Sequence, residues 1–435
     1  MTGNYICDPH LWTELKKVSD SALVIKVPDG IERPLSESDF KDNTILIEKS
    51  ILYLRDNLDK LVACNAVQHM KKLEPSVKSF LVSCLMVCGE QSANNSWTTS
   101  VTVETAEEIL NRLCVIFNIG SQNLLEDLQQ KWKVDICKLM LTELRQKLTK
   151  STWKRYPASF LCYKWILSKA KAQQVSENFE EFLNAALISL DDFEVCNQVN
   201  GLNCLSIIIS SVTRTQLCHL AYDDVIFCAM EHLLYTKDPD IVVCLVPCLC
   251  NFLQKVEKGY THKEDSLQFT RYDKALKIFL GNMEMEQYVT RRKAYVEVLP
   301  FLLDGMGLPM LRWSKRLLRI FEDYLFVDDG SNGISTLKSL EAFKVYLLHT
   351  WPLIPKNMGA LLELLLKLLV EMTDLDPSRR ISSETLDAIL YQIESCLFLI
   401  MKTSSSKTKD LCAGIESVSL NSKFDEIIKR IFVCD

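Results

Sequence analysis

The chain has 435 residues, a formal net charge of −6, 48% hydrophobic and 24% charged residues. This composition excludes an intrinsically disordered chain, and its mild acidity gives no global reason to expect nucleic-acid binding, which draws on basic domains. Only 13 Gly and 12 Pro are present, too few turn residues for a many-stranded β fold, so helices joined by short loops are expected.

Residues 1–42 read as a poorly defined N-terminal arm. Leu23–Val27 has strand character, but Pro28, Gly30 and Pro34 interrupt it. The opening MTGNYICDPHLW lacks a basic run ahead of an apolar core, so no secretory signal is expected. Helical spacing dominates from Asn43, where Ile45, Leu46, Ile51, Leu52, Leu54, Leu58 and Leu61 follow it. Pro75 opens a second helix toward Cys88. Helices follow over Thr102–Phe117, Val134–Leu148, Trp153–Lys169, Ser176–Leu190, Val195–Val212 and Tyr222–Leu234. Asp238-Pro239 is a cap followed by a first-turn proline, and its helix should reach Val256. Further helices are expected over Tyr272–Met283, Met285–Leu303, Pro309–Tyr324, Thr336–Thr350, Met358–Met372, Glu384–Lys402 and Lys423–Val433. Gly259–Thr270, Asp328–Gly333 and Thr403–Lys409 read as loops. Roughly 17 helices whose pairs recur every 40–47 residues or so have the period of HEAT or armadillo arrays, although no clean repeat motif stands out. The expected class is all-α: an α-solenoid of irregular HEAT/armadillo-like helical hairpins, with residues 43–435 as one helical solenoid.

The 17 cysteines are odd in number. Without export their thiols stay reduced, and Cys84, Cys88, Cys114, Cys204, Cys244 and Cys248 read as small core residues. Cys244, Cys248 and Cys250 cluster on one helix, but no second Cys or His pair at zinc-ligand spacing accompanies them, Cys218-His219 being the nearest candidate. The longest apolar run, Ile241–Leu253, falls about a third short of a membrane span of roughly 20 residues. Leu361–Val370 is interrupted by Glu363 and Lys367, and no transmembrane helix is expected. No phosphate-binding glycine loop, HExxH or GxSxG is present, and the six histidines are scattered. Neither catalytic nor cofactor nor metal residues are expected.

One charged feature rises above background. Arg312, Lys315, Arg316 and Arg319 are spaced i, i+3, i+4, i+7, which on one helix stacks four cations on a single face. Arg291, Arg292 and Lys293 add charge on the preceding helix, and Trp313 lies within the run. The functional reading is a docking patch for an acidic segment of a partner, comprising Arg291, Arg292, Arg312, Trp313, Lys315, Arg316 and Arg319. The plainer reading is a solvated face paired with Glu286, Glu297 or Glu322. Trp97, Trp153, Trp165 and Trp351 read as wedges between hairpins.

Several segments in this order carry a family resemblance. They are Trp97-Thr98-Thr99, Trp153-Lys154 with Pro157 and Trp165, Asp191-Asp192, Asn200-Gly201 with Cys204-Leu205, and His232–Thr236. Then come Arg291-Arg292 with Tyr295 and Leu299-Pro300, Gly307, Arg312, Lys315-Arg316-Leu317 and Arg319, and finally His349-Thr350-Trp351-Pro352. Over about Trp97 to Lys402 the chain resembles the Tel-two-interacting protein two family. The match is weak over 43–150 and best over 151–402, with 403–421 a flexible loop and 422–435 a final short helix. The resemblance implies a HEAT-like solenoid and a non-enzymatic adaptor subunit of the Triple T complex. Its implied partners are the Tel-two protein and Tel-two-interacting protein one. Indirect partners would be the ninety-kilodalton heat-shock chaperone with its R-two-T-P partner, and the phosphatidylinositol-3-kinase-related kinases whose maturation the complex supports. It implies residence in cytoplasm and nucleus, and neither a nucleic acid nor a membrane as partner. A longer acidic N-terminal region expected of the family is not seen here. The alternative is another HEAT-type adaptor, a transport or phosphatase scaffold, or less plausibly an enzyme with an unrecognised site.

Overall fold

A computed structural model describes residues 9–28, 33, 35–63, 70, 72–257, 269–326, 332–374, 381–403 and 420–432. The expected loops at Gly259–Thr270, Asp328–Gly333 and Thr403–Lys409 fall mostly outside these residues. Among the described residues there are twenty α-helices and no strand. The chain divides into two compact units, one of Met1–Asp192 with Asn203–Thr213, the other of Phe193–Leu202 with Arg214–Asp435.

The first unit holds α1 (Pro9–Ser21), α2 (Lys41–Ala63), α3 (Pro75–Glu90), α4 (Ser100–Phe117), α5 (Leu124–Trp132), α6 (Ile136–Arg145), α7 (Pro157–Lys169), α8 (Ala172–Glu177) and α9 (Phe179–Leu190). Helix α10 (Val195–Ser211) is divided between the units. Each of α1 and α2 packs on the next helix but one, α3 and α4 respectively, and α3 packs on α7. This alternate-neighbour packing is how stacked hairpins bury faces that one hairpin leaves open. The residues read as an arm therefore contain a helix, α1, whose Trp12 and Leu15 are buried, Trp12 lying 5.4 Å from the Phe80 ring of α3. Leu23–Val27 forms no strand. Its backbone is instead tied to side chains and loops: Val24 N–H donates to Glu90 at 2.8 Å and Val27 N–H to the Arg155 carbonyl at 2.9 Å. Val24 and Val27 then join Phe40, Ile47, Trp97 and Ala158 in a small core.

Glu90 is fully buried and also accepts from the Ser159 hydroxyl at 3.2 Å. Burial pushes its carboxyl above the ordinary range, against the pull of Lys147 and of these donors. The expected helix over Ser176–Leu190 is two, broken at Asn178. That over Trp153–Lys169 starts only at Pro157. Trp153–Arg155 is a 3-10 turn, because the residue before a proline is driven out of the helical region.

The second unit holds α11 (Arg214–Cys218), α12 (Tyr222–Leu233), α13 (Pro239–Val256), α14 (Arg271–Met285), α15 (Val289–Met306), α16 (Ser314–Leu325), α17 (Ile334–His349), α18 (Ile354–Thr373), α19 (Ser383–Thr403) and α20 (Ser422–Phe432). Helices α13, α15, α17 and α19 form a continuous ladder, each packed on the next rung. Helix α16 packs on α14 and α17, and α20 closes over α18 and α19. Asp238 caps α13 through the N–H groups of Asp240 and Ile241, as its sequence implies. By length and composition α13 is apolar enough to cross a membrane, which the sequence reading did not anticipate. However, 56% of it is buried within the protein, against α11, α12 and α15. Helix α15 ends at Gly307, whose φ of +62° and ψ of −139° lie where side-chain-bearing residues are strained. The architecture is all-α, an α-solenoid class of irregular HEAT/armadillo-like hairpins.

Candidate functional site

The basic residues singled out in the sequence lie on α15, on the 3-10 turn that follows it and on α16 of the second unit, but not as one helical face. Gly307 and Pro309 start a 3-10 turn over Leu308–Trp313, and α16 begins only at Ser314. Arg312 therefore lies off the stripe made by Lys315 and Arg319, and the expected four-cation face is corrected to that extent.

Three of these cations, Arg292, Arg312 and Arg316, are held by carboxylates from other helices. Asp273, 1% exposed, sits in the first turn of α14 and caps it, accepting from Thr270 N–H at 3.0 Å. It also receives Arg312 Nη1 at 3.0 Å and the Trp313 indole N–H at 2.7 Å. The Arg312 guanidinium also lies 5.0 Å from the Phe269 ring. Arg316 reaches α14, with Nη2 2.8 Å from Glu284 Oε2 and Nη1 3.4 Å from the Lys277 carbonyl. The hydrogen bond from Arg316, with added attraction from Arg316 and Arg319, holds the Glu284 carboxyl below its ordinary value.

The α14–α15 turn repeats this logic. Glu286, 4% exposed, accepts from the N–H groups of Gln287 and Tyr288 at 3.0 and 2.9 Å and so fixes the start of α15. Arg291 lies 3.8 Å from Glu286 and over the Tyr288 ring. Arg292 donates to the Asp323 carboxylate at 3.0 Å and lies 3.9 Å from the Tyr324 ring centre. Tyr295 is buried, and burial, followed by Glu286, raises its phenol to about 12.

The expected partners Glu297 and Glu322 make no ion pair with these cations. Glu286 does, and Asp273, Glu284 and Asp323 replace the others. Lys315 and Arg319 are exposed and make no ion pair among the described residues, as does Lys277, which the sequence reading passed over. Spacing within one helix carried no signal for these long-range pairs.

Two other motifs also find partners. Lys154 Nζ lies 2.6 Å from Asp192, and Lys150 2.6 Å from Asp191, so Trp153-Lys154 and Asp191-Asp192 meet in the first unit. Trp97, Trp153 and Trp165 are buried as expected, whereas Trp351 is 55% exposed and is not a wedge. Among the described cysteines, Cys84, Cys88, Cys204 and Cys248 are buried, but Cys114 and Cys244 are only partly so. No group of metal-ligating side chains forms among the described residues.

These observations define the class of protein: an all-α, helical-hairpin protein whose charged surface residues chiefly brace neighbouring helices. No protein-family model matches the chain. It is similar to TELO2-interacting protein 2 of Homo sapiens, 29% identical over 344 residues that cover 78% of this chain and 67% of that protein. The Mus musculus protein of the same name is 27% identical over 77% of this chain and 65% of its own length. The match spans about two thirds of the length of these relatives. Solved structures with a similar arrangement include the karyopherin Kap121p bound to the extreme C-terminus of Cdc14p, with TM-score 0.49, 12% identity and coverage of 88% of this chain and 39% of that one. The Kap95:Nup1 complex has TM-score 0.48, 11% identity and coverage of 98% and 57%.

Proposed function

We propose that this chain is a non-enzymatic scaffold subunit of the Triple T assembly. It pairs with the Tel-two protein and Tel-two-interacting protein one. Through them it supports maturation of phosphatidylinositol-3-kinase-related kinases by the ninety-kilodalton heat-shock chaperone and its R-two-T-P partner, in cytoplasm and nucleus. The observation that carries this reading is the 344-residue match to TELO2-interacting protein 2. The physical support is the stacked-hairpin build, which offers long surfaces made of successive helices and suits association with another such protein. Burying those surfaces in a complex would stabilise the chain by mass action.

The test is affinity purification of the tagged full chain from cells at moderate salt, read by mass spectrometry. The reading expects the Tel-two protein and Tel-two-interacting protein one to be recovered together with it. Recovery of neither, with the chain shown folded, overturns it.

A further inference from the structure

The cations on the outer helices of the second unit divide into two kinds. Arg312 and Arg316 are consumed in binding helix to helix, through Asp273 and Glu284. Lys277, Lys315 and Arg319 are exposed and make no ion pair among the described residues. Their positions are linked. Arg316 crosses from α16 to α14 and reaches both the Lys277 carbonyl and the Glu284 carboxylate. Lys315 precedes it, and Arg319 follows one turn after Lys315 on the same side of α16. Arg319 also acts electrostatically on Glu284. The Arg316–Glu284 pair thus ties α16 to α14, with Lys277 supplying the carbonyl that Arg316 reaches, Arg319 acting on Glu284 and Lys315 one turn before Arg319 on α16. The local carboxylates Asp273, Glu284 and Asp323 are already engaged, which leaves Glu322, one turn beyond Arg319, as the acid at the edge.

Like charges four apart on one helix face, as Lys315 and Arg319 are, repel each other. In a chain of net charge −6, this cluster is complementary to an anionic ligand. We infer that Lys277, Lys315 and Arg319 form a docking surface for an acidic, Asp/Glu-rich segment of a partner protein, on a platform fixed by Arg316 and Glu284. Residues four apart on a helix face lie about 6 Å from each other, as do alternate residues of an extended strand. A segment with carboxylates at i and i+4 in a helix, or at i and i+2 when extended, therefore matches the Lys315–Arg319 pair. The inference rests on the reading of the chain as a binding scaffold, and it names the surface and the chemistry of its ligand.

The probe is a fluorescein-labelled 12-residue peptide of alternating Glu and Ser. Its Gln counterpart and a version with phosphoserine replacing Glu serve as comparisons. Binding to the full chain is read by fluorescence anisotropy at low and moderate salt. The Glu peptide should bind, weaken on adding salt, and bind at least about tenfold more weakly to the K277E/K315E/R319E variant. The Gln peptide should not bind. The milder K277Q/K315Q/R319Q variant should weaken binding in the same direction, and unchanged melting temperatures show that both variants are folded. Equal binding of the Glu peptide to wild type and variants, no binding to wild type, or binding of the phosphopeptide alone overturns the inference. Reconstitution with the Tel-two protein and its interacting protein one separates the two readings. If those proteins assemble with wild type while the Glu peptide fails, only this surface is wrong. If the peptide binds as expected while those proteins do not assemble, the scaffold assignment fails and the surface stands.

Discussion

Trp313 donates its indole N–H to the Asp273 carboxylate at 2.7 Å, across 40 residues of chain. The same carboxylate holds Arg312 and caps α14. The tryptophan in the middle of the basic run is therefore a brace for the helix pair.

This makes Asp273 the residue on which the α14–α16 arrangement depends. Asp273→Ala removes the cap and leaves Arg312 and the Trp313 N–H without their buried acceptor. Breaking such a pair from one side should cost about 3 kcal/mol. Urea denaturation of the full chain reads this directly. A loss below about 0.5 kcal/mol would show that the carboxylate is dispensable.

Arg312 and Arg319 should behave oppositely although both lie in the run read as one basic face. Arg319→Ala should change stability by no more than about 0.5 kcal/mol, since the side chain is exposed. Arg312→Ala should cost clearly more, because it leaves Asp273 short of a charge partner. Equal costs in chemical denaturation would contradict the division into braces and solvated cations.

The buried Glu90 carboxyl predicts a pH dependence of definite sign. Burial raises its folded-state pKa, so between its ordinary and raised values the folded chain binds more protons than the unfolded chain. Stability from this group is fully present below the ordinary carboxylate range and is lost as pH rises through the raised value. Glu90→Gln keeps an acceptor for Val24 N–H and cannot ionise. Wild type should therefore lose stability relative to Glu90→Gln as pH rises from 4 to 8, seen as diverging denaturation midpoints. A constant difference would mean that Glu90 titrates normally.

Gly307→Ala should cost about 1–3 kcal/mol through backbone strain alone. An added Cβ there would meet nothing within 4 Å, so the loss cannot come from a clash. A neutral effect on the melting curve would show that the turn relaxes to another conformation.

Thiol accessibility separates the cysteines. Brief maleimide labelling of the native chain, mapped by mass spectrometry, should mark Cys196, Cys218 and Cys228 and spare Cys84, Cys88, Cys162 and Cys396 until the chain is unfolded. Native labelling of Cys88 or Cys162 would contradict the packing of α3 against α7.

Much of the fold is legible in the sequence where local signals suffice. Asp238-Pro239 places the start of α13, and the apolar run carries it to Val256. Helix α1 was hidden by the attention that Pro28, Gly30 and Pro34 draw, yet Trp12, Leu15, Ser19 and Ala22 are all buried at spacings of three and four. Helix α5 had a similar signal in Leu124, Leu125, Leu128 and Trp132. The candidate site was legible in location and not in arrangement. Spacing finds Lys315 and Arg319, but the break at Gly307–Pro309 moves Arg312 off their stripe. The acids that neutralise Arg312, Arg316 and Arg292 arrive from 31 to 39 residues away. Such pairs are set by how hairpins stack, which periodicity within one helix does not encode.

The central claim is that this chain is a subunit whose surfaces are completed by partners. It is tested most directly by the melting temperature of the purified full chain, alone and after reconstitution with the Tel-two protein and Tel-two-interacting protein one. The account predicts a stoichiometric complex that melts several degrees above the isolated chain, by an increment that grows with partner concentration. A chain that melts at the same temperature in both samples, with no complex formed, would contradict it.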